Sequence, residues 1–429
     1  MRPRADAVSA LTVLLVLLMG LPSALTFAPL GGAGAPALVL GLGCFGWWAY
    51  HQVQRSQSVP AGPQPVRTAC LVVVACFLTS YIVAMCRAID PTESSTADIG
   101  VVSLFSWAGV LLLSNDGIPS RDRFFVLVRR LVVAGGAVAT LGVLQFITGQ
   151  AWVDRISIPG LSVNTALTGV LERSGFNRPA GTSIHPIEFG AVITMILPIA
   201  INLAITDRTR GVCRRWFPVL AIALAVVLSI SRSAIVSAIV GLVVAAVAWT
   251  PAIRRRAAVV ITGFMGLVCL TIPGLLGTLT DLFTGIGGDS SAQSRTGSYA
   301  IAAEFIERAP IFGRGFSTFL PKYRILDNQY LGLMIEVGFM GLAAVLGLFA
   351  AAAVCARRMR VRADDAPTQQ LGQGLAASVA AGATGLAFYD GFGFPMATGV
   401  LFLVLGLSGA GLRLTRHEAA REVVMGRSR

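Results

Sequence analysis

Apolar residues fall in long runs along the chain, separated by short segments rich in arginine, glycine and proline. A helix that crosses a bilayer needs about 20 mostly apolar residues. The pattern therefore predicts an all-α, polytopic membrane protein with about twelve transmembrane helices. The predicted spans are 7–27, 32–50, 67–87, 98–114, 131–148, 187–206, 217–231, 233–250, 257–276, 328–355, 371–389 and 391–412.

Composition and charge support this interpretation. The chain is 55% hydrophobic and 13% charged, whereas soluble domains carry about 25% charged residues. The net charge of +13 is spread over short runs between apolar stretches, which excludes a basic nucleic-acid-binding domain. Most of the 34 basic residues fall on one side of the predicted topology. The positive-inside rule then predicts that both termini lie in the cytoplasm.

Two extracytoplasmic segments, 149–186 and 277–327, are long for loops of a compact protein, and such loops are often functional. The second contains an amphipathic stretch from Ser298 to Arg308, predicted to form a short surface helix. We divide the chain into five N-terminal transmembrane helices (1–148), a core with helices six to twelve and both loops (149–413), and a basic cytoplasmic tail (414–429).

Several arginines on the outer side run against the charge rule and need another explanation. The planar guanidinium suits phosphate, so converging outer arginines suggest a phosphate or diphosphate ligand. The candidates are Arg178, Arg232 between two apolar runs, Arg295 just before the surface helix, and Arg314, where glycines would let the backbone approach a ligand. The alternatives are a snorkelling interfacial arginine for Arg232 and solvated loop charges for Arg295 and Arg314.

Three further residues have side chains suited to proton transfer or positioning. His185 is the only histidine on the outer side, although a lone histidine is more often structural. Asp327 is either a helix cap or a general base, and Asn328 follows it at the entry to a span. The sequence contains no P-loop and no external Asp-x-Asp. We therefore predict no cofactor and no metal, with arginines neutralising any diphosphate.

Five sequence features resemble the O-antigen ligase and polymerase superfamily of membrane glycan transferases, over about residues 170–345. One pattern of this superfamily consists of His-Asn, nine further residues and then Gly. Asp327-Asn328 and Gly338 resemble it and keep the same spacing, with aspartate in place of histidine. Pro310–Gly315 resembles the family's Pro-Leu-Phe-Gly-x-Gly, and Ser229–Ala234 resembles its Leu-Ser-Arg-Gly-Ala. Arg178–Pro186 resembles Arg-x-x-Gly-Thr-x-x-His-Pro, and Arg295 occupies the place of the arginine before the loop helix.

The resemblance implies an inverting, metal-independent transfer at the outer face of the plasma (inner) membrane. The donor would be a glycan on a polyprenyl diphosphate, and the acceptor a hydroxyl of a glycan, lipid or protein. Arg178, Arg232, Arg295 and Arg314 would stabilise the diphosphate.

Of the remaining candidates, Asp327 would take the acceptor proton, with His185 as the second candidate, and Asn328 would position the site. Two alternatives stay open. One is a polymerase of lipid-linked repeat units, and the other is a twelve-helix transporter. A transporter would be expected to place its polar residues at the bilayer midplane, whereas most of these candidates lie at the outer face.

Overall fold

The computed structural model describes residues 6–54, 62–164, 170–284 and 290–427, and the side chains of 283, 290–296 and 419–427 lie outside this description. Its α-helices are α1 (Ala7–Gly20), α2 (Pro36–Gln54), α3 (Pro65–Met85), α4 (Pro91–Gly117), α5 (Arg121–Thr148), α6 (Pro186–Thr206), α7 (Val212–Leu228), α8 (Arg232–Ala246), α9 (Pro251–Thr271), α10 (Leu275–Thr284), α11 (Ser290–Arg308), α12 (Gln329–Glu336), α13 (Gly338–Arg362), α14 (Ala366–Gly385) and α15 (Pro395–Arg427).

Each predicted span coincides with one of these helices or with a broken pair. Within the described residues, six helices are long and apolar enough to cross a membrane, or up to eight if two bent pairs each form one span. Two more, α1 and α8, are apolar but have only 14 and 15 residues. The multi-pass architecture is therefore confirmed, whereas the count of twelve and the orientation of the termini stay predictions.

Two boundaries differ from the prediction because glycines place backbone in the left-handed region. The span predicted at 328–355 is broken at Val337 into α12 and α13, where Gly338 has a φ of 65°. The apolar run at 257–276 ends in a turn with Gly274 at φ 82°, after which α10 leaves at 117° to α9.

The prediction of an all-α fold also misses two pairs of three-residue antiparallel strands. Strand β1 (Leu25–Phe27) pairs with β2 (Leu161–Val163), and β3 (Leu171–Arg173) pairs with β4 (Phe176–Arg178). The β3–β4 turn has positive φ at both central residues, Ser174 and Gly175, which suits the twist of a tight hairpin.

The core is centred on α15, in which 94% of the apolar window is buried. This helix packs against α4, α13, α6 and α3. Small residues permit the close approach that holds membrane helices together. At Gly406, for example, an added Cβ would lie 2.5 Å from the carbonyl oxygen of Leu111 in α4.

Candidate active site

The segment 178–186, which joins β4 to α6, is held by side chains of the surrounding helices. The Gln145 amide of α5 donates to the carbonyl oxygen of Gly181 at 3.0 Å, and its oxygen accepts from the N–H of the same residue at 2.7 Å. The Thr182 hydroxyl donates to a carbonyl oxygen near the end of α1 at 2.8 Å. These contacts fix the backbone that carries Arg178 and His185.

A buried carboxylate in the first turn of α6 completes this anchoring. Glu188 accepts a hydrogen bond from the N–H of Ile184 at 2.9 Å. It also accepts from the N–H groups of Met396 and Ala397, at 2.7 and 3.3 Å, which are unpaired donors at the start of α15. The carboxylate therefore ties the turn before His185 to the central helix.

His185 caps α6 and is uncharged at neutral pH. Its Nδ1 accepts from the N–H of Ile187 at 3.1 Å, so the proton of the neutral ring lies on Nε2. Burial lowers the pKa of the imidazole to about 4, and the positive charge of Arg178 adds to this effect. The ring is therefore a hydrogen-bond donor through Nε2.

The β3–β4 hairpin brings a second arginine next to Arg178. The register pairs Leu171 with Arg178 and Arg173 with Phe176, which places both arginines on one face of the hairpin. Arg178 Nε lies 3.4 Å from the Ser229 carbonyl oxygen. Burial and then the charge of Arg173 lower the pKa of Arg178 to about 10, so it stays protonated at neutral pH.

The break between α7 and α8 positions Arg232. Ile230 adopts a φ of 45°, a conformation unusual for a β-branched residue and often found at functional sites. Arg232 is the first residue of α8, where the helix dipole favours anions, and its Nη1 donates to the Leu282 carbonyl oxygen at 3.3 Å. Since Arg178 reaches the end of α7, both arginines are anchored at the same break. We call Arg173, Arg178 and Arg232 the arginine cluster.

Pro310–Gly315 forms a backbone clasp with the α12–α13 junction. The Gly315 N–H donates to the Glu336 carbonyl oxygen at 2.9 Å. Gly313 and Gly338 have φ values of 71° and 65°, and a Cβ on Gly313 would lie 2.3 Å from the Glu336 backbone. Gly313 and Gly338 thus let two backbone segments pack together, and approach of a ligand to the glycines of Pro310–Gly315 stays a prediction.

Arg314 of the clasp is bound to protein groups. Its Nη2 lies 2.8 Å from Oε1 of Glu93 in α4, and its guanidinium lies 5.0 and 4.8 Å from the ring centroids of Phe305 and Tyr323. The side chain is only 14% exposed. Glu93 also pairs with Arg87 at 3.2 Å, so Arg314 joins the loop to α4 and α11.

Asn328, and not Asp327, caps α12. Its Oδ1 accepts from the N–H groups of Tyr330 and Leu331 at 3.0 and 3.3 Å. The alternative of Asp327 as the helix cap is therefore wrong. Asp327 is half-buried, and within the part of the chain that the structure describes its carboxylate forms no hydrogen bond or ion pair.

Asp390 approaches Asp327 from the loop between α14 and α15. Gln329 joins the two segments, because its Oε1 accepts from the Phe392 N–H at 2.7 Å and its N–H donates to the Leu386 carbonyl oxygen at 2.9 Å. Part of the Asp390 surface is solvent-accessible, but many protein atoms lie close to its carboxylate and displace water from it. This desolvation and the charge of Asp327 raise the pKa of Asp390 to about 6. We call Asp327 and Asp390 the carboxylate pair.

Arg295 is predicted to precede the surface helix, and Glu336 ends α12. The Glu336 carboxylate accepts from the N–H of Phe319 at 3.1 Å and, among the described residues, forms no ion pair with an arginine. The helix begins at Ser290, so Arg295 lies inside α11, and its side chain is outside the described part. Sequence reasoning did not single out Gln145, and only the structure reveals its contacts.

Phe394 lies between His185 and the loop that carries Asp390. Its ring centroid lies 6.2 Å from that of His185 and 5.7 Å from that of Tyr389, the neighbour of Asp390. The charge of Arg178 acts on His185 at one side of Phe394, and Asp390 follows Tyr389 at the other. This arrangement suits a reaction in which an anionic group leaves and a proton is removed.

Comparison with known families supports this interpretation. Residues 217–346 match the family model described as O-antigen ligase. The match confirms the resemblance to the O-antigen ligase and polymerase superfamily and supports glycan transfer in general. It contains Arg232, Arg314, Asp327 and Asn328, whereas the segment 178–186 precedes it. No curated protein matches the chain.

Proposed function

Since its core carries an O-antigen-ligase match, we propose that this membrane protein transfers a glycan from a polyprenyl diphosphate to a hydroxyl acceptor on the extracytoplasmic side. The transfer is inverting and uses no metal. The observation that carries the proposal is the convergence of Arg178 and Arg232 on the α7–α8 break. The acceptor is a glycan, lipid or protein hydroxyl.

In this reaction the acceptor oxygen attacks the anomeric carbon while the bond from that carbon to the diphosphate oxygen breaks. The electron pair leaves with the diphosphate, and the acceptor proton passes to a carboxylate. Arg178 and Arg232, with Arg173 beside them, stabilise the charge that develops on the diphosphate. The N-terminus of α8 adds favourable potential at the same place.

The other two motif arginines receive different assignments. Arg314 is a positioning residue, because Glu93 and two aromatic rings occupy its guanidinium. Arg295 is retained as a diphosphate ligand on the strength of its place in the family pattern.

The carboxylate pair provides the general base. Asp327 is the first candidate because its carboxylate is not engaged by the described residues. Asp390 is the second, since a pKa of about 6 lies near the operating pH. Asn328 acts indirectly by fixing the start of α12. His185, with Nδ1 occupied, is better suited to donate from Nε2 to phosphate or sugar than to accept the proton.

The test is transfer by the purified protein in liposomes that contain a lipid-linked glycan and a soluble acceptor. We expect Arg232→Ala to lower kcat/KM by about 100-fold or more without lowering membrane abundance. Arg255→Ala, an exposed arginine of α9, is the matched control. Full activity of a well-expressed Arg232→Ala protein would overturn the proposal.

Deletion of the gene distinguishes the ligase from the polymerase. Accumulation of long lipid-linked glycan in the deletion strain, measured by mass spectrometry, identifies the missing step as ligation. Accumulation of single repeat units identifies it as polymerisation. An unchanged lipid-linked pool with altered uptake or export of a small solute would instead favour the transporter.

A further inference from the structure

A groove on the membrane-facing side of α1, α5 and α7 has no role in the proposed reaction. It consists of two neighbouring cavities of about 560 and 650 Å³ that share Val133, Ala137 and Arg210 as lining residues. The walls are almost entirely apolar, and Val16, Val133 and Phe217 are 62, 54 and 57% exposed. We call this feature the α1–α5–α7 groove.

One end of the groove is lined by arginines. The lining residues of the two cavities include Arg129, Arg130, Arg210 and Arg214 and contain no carboxylate. Asp207 pairs with Arg129 at 2.8 Å and with Arg210 at 4.0 Å, and Arg130 donates to the Thr12 hydroxyl at 2.6 Å. Four arginines thus share one carboxylate, which leaves an excess of positive charge. These arginines lie at the end of α5 and α7 opposite to the α7–α8 break.

A buried donor nearby also lacks a partner. Arg215 lines the small cavity adjoining this end, together with Arg129, Arg210, Arg214 and the single carboxylate of Asp207. Its Nε is buried and has no hydrogen-bond partner among the described residues. An unsatisfied cationic donor inside a membrane protein is costly, so an anion at this end would be stabilised.

The length of the groove fits one leaflet. Along α5 it runs from Val126 to Val138, a rise of about 18 Å at 1.5 Å per residue. One leaflet contributes about half of the roughly 30 Å hydrocarbon core. The apolar end reaches Val138, which lies against Gly181 under the candidate site.

We propose that the α1–α5–α7 groove binds one phospholipid with an anionic headgroup, its phosphate on Arg130, Arg210 and Arg214 and one of its acyl chains between the three helices. A second copy of the chain is a poorer occupant, because its surface would have to supply both an anion and a leaflet-long apolar segment. The positive-inside topology places the headgroup in the cytoplasmic leaflet. This inference is independent of the proposed glycan transfer.

The experiment is native mass spectrometry of the full-length protein extracted from bilayers of phosphatidylglycerol and phosphatidylcholine in equal amounts. Each arginine near an anionic lipid contributes about 1 kcal/mol, equivalent to about fivefold in binding. We expect one retained phosphatidylglycerol, preferred by tenfold or more. The preference should be lost in Arg130→Gln/Arg214→Gln.

Two further variants separate a lipid site from general attraction. Arg255→Gln/Arg256→Gln removes two exposed arginines at the same end but outside the groove and should keep the preference. Ala137→Trp fills the junction of the two cavities from an exposed position and should expel the lipid while the arginines remain. The melting temperature in detergent verifies that each variant is folded.

Four results would overturn the inference. An equal loss of preference in both arginine pairs would indicate non-specific attraction to an arginine-rich surface. Retention of the lipid by Ala137→Trp, or its displacement by millimolar inorganic phosphate, would indicate an anion site without an acyl chain. A dimer in place of a bound lipid would identify a second copy as the occupant.

Discussion

Arg178 and Arg314 are both arginines of family motifs, yet the structure places them in different surroundings. Arg178 is held by a backbone carbonyl oxygen and, within the described residues, forms no ion pair. Arg314 is paired with the buried carboxylate of Glu93 and covered by two aromatic rings. The comparison indicates that Arg178 keeps its charge for a ligand, whereas Arg314 uses its charge to fix the loop.

The largest expected effect is on catalysis at Arg178. Arg178→Ala should lower kcat/KM for transfer by about 100-fold or more, because a preorganised cation opposite the leaving diphosphate is lost. Membrane abundance and melting temperature should change little. Arg155→Ala, an exposed arginine of the preceding external segment, is the control and should retain activity.

At Arg314 the expected effect is on stability. Arg314→Gln leaves Glu93 without one of its cationic partners and should cost about 3 kcal/mol, seen as a lower melting temperature in detergent. Glu93→Gln together with Arg314→Gln should recover part of this loss, since no unpaired charge stays buried. Unchanged melting of the single variant would show that Arg314 does not fix the loop.

An intermediate effect is expected from Gln145, which touches no predicted ligand. Gln145→Leu removes the hydrogen bonds to both backbone groups of Gly181 and should reduce kcat about tenfold by misplacing Arg178 and His185. Gln145→Glu keeps the acceptor oxygen but loses the N–H donor, so its kcat should lie between those of the parent and Gln145→Leu. Kinetics that do not distinguish Gln145→Leu from the parent would contradict this positioning role.

The carboxylate pair predicts a pH dependence. With a folded-state pKa of about 6, Asp390 is protonated in acid, so activity should fall as pH decreases through about 6 if the pair must be ionised. The pKa is raised above its ordinary value of 3.8, so protonation favours the folded state. Stability should therefore decrease as pH rises from about 4 to about 6.

Asp390→Asn should abolish this stability change, measured by melting across the same pH range. If the transfer activity of Asp390→Asn still falls below about pH 6 as in the parent, a group other than Asp390 controls this loss of activity.

The smallest effect is expected at Arg173, which lies on the hairpin face beside Arg178. Arg173→Gln should raise KM for the lipid-linked donor about threefold to tenfold with little change in kcat, because one charge near the diphosphate is lost. Arg173→Lys should restore most of the affinity. A fall in kcat at unchanged KM would assign it a different role.

The sequence predicted the helices because long apolar runs allow few other structures, and it found the motif residues because their order matches a family pattern. It could not show that Gly313 and Gly338 pack against each other's segments, since this depends on two φ angles near 70°. Nor could it pair Arg314 with Glu93 or join Asp390 to Asp327, because these residues are distant in the chain and only packing brings them together.

The central claim is that the arginine cluster, and not the clasp arginine, carries the charge of the leaving diphosphate. Its most direct test is single-turnover transfer from a lipid-linked glycan, compared for Arg178→Gln and Arg314→Gln at a temperature where both are folded. We predict that the rate of bond cleavage falls at least about 100-fold for Arg178→Gln and less than about tenfold for Arg314→Gln. Equal losses, or a greater loss at Arg314, would contradict the account.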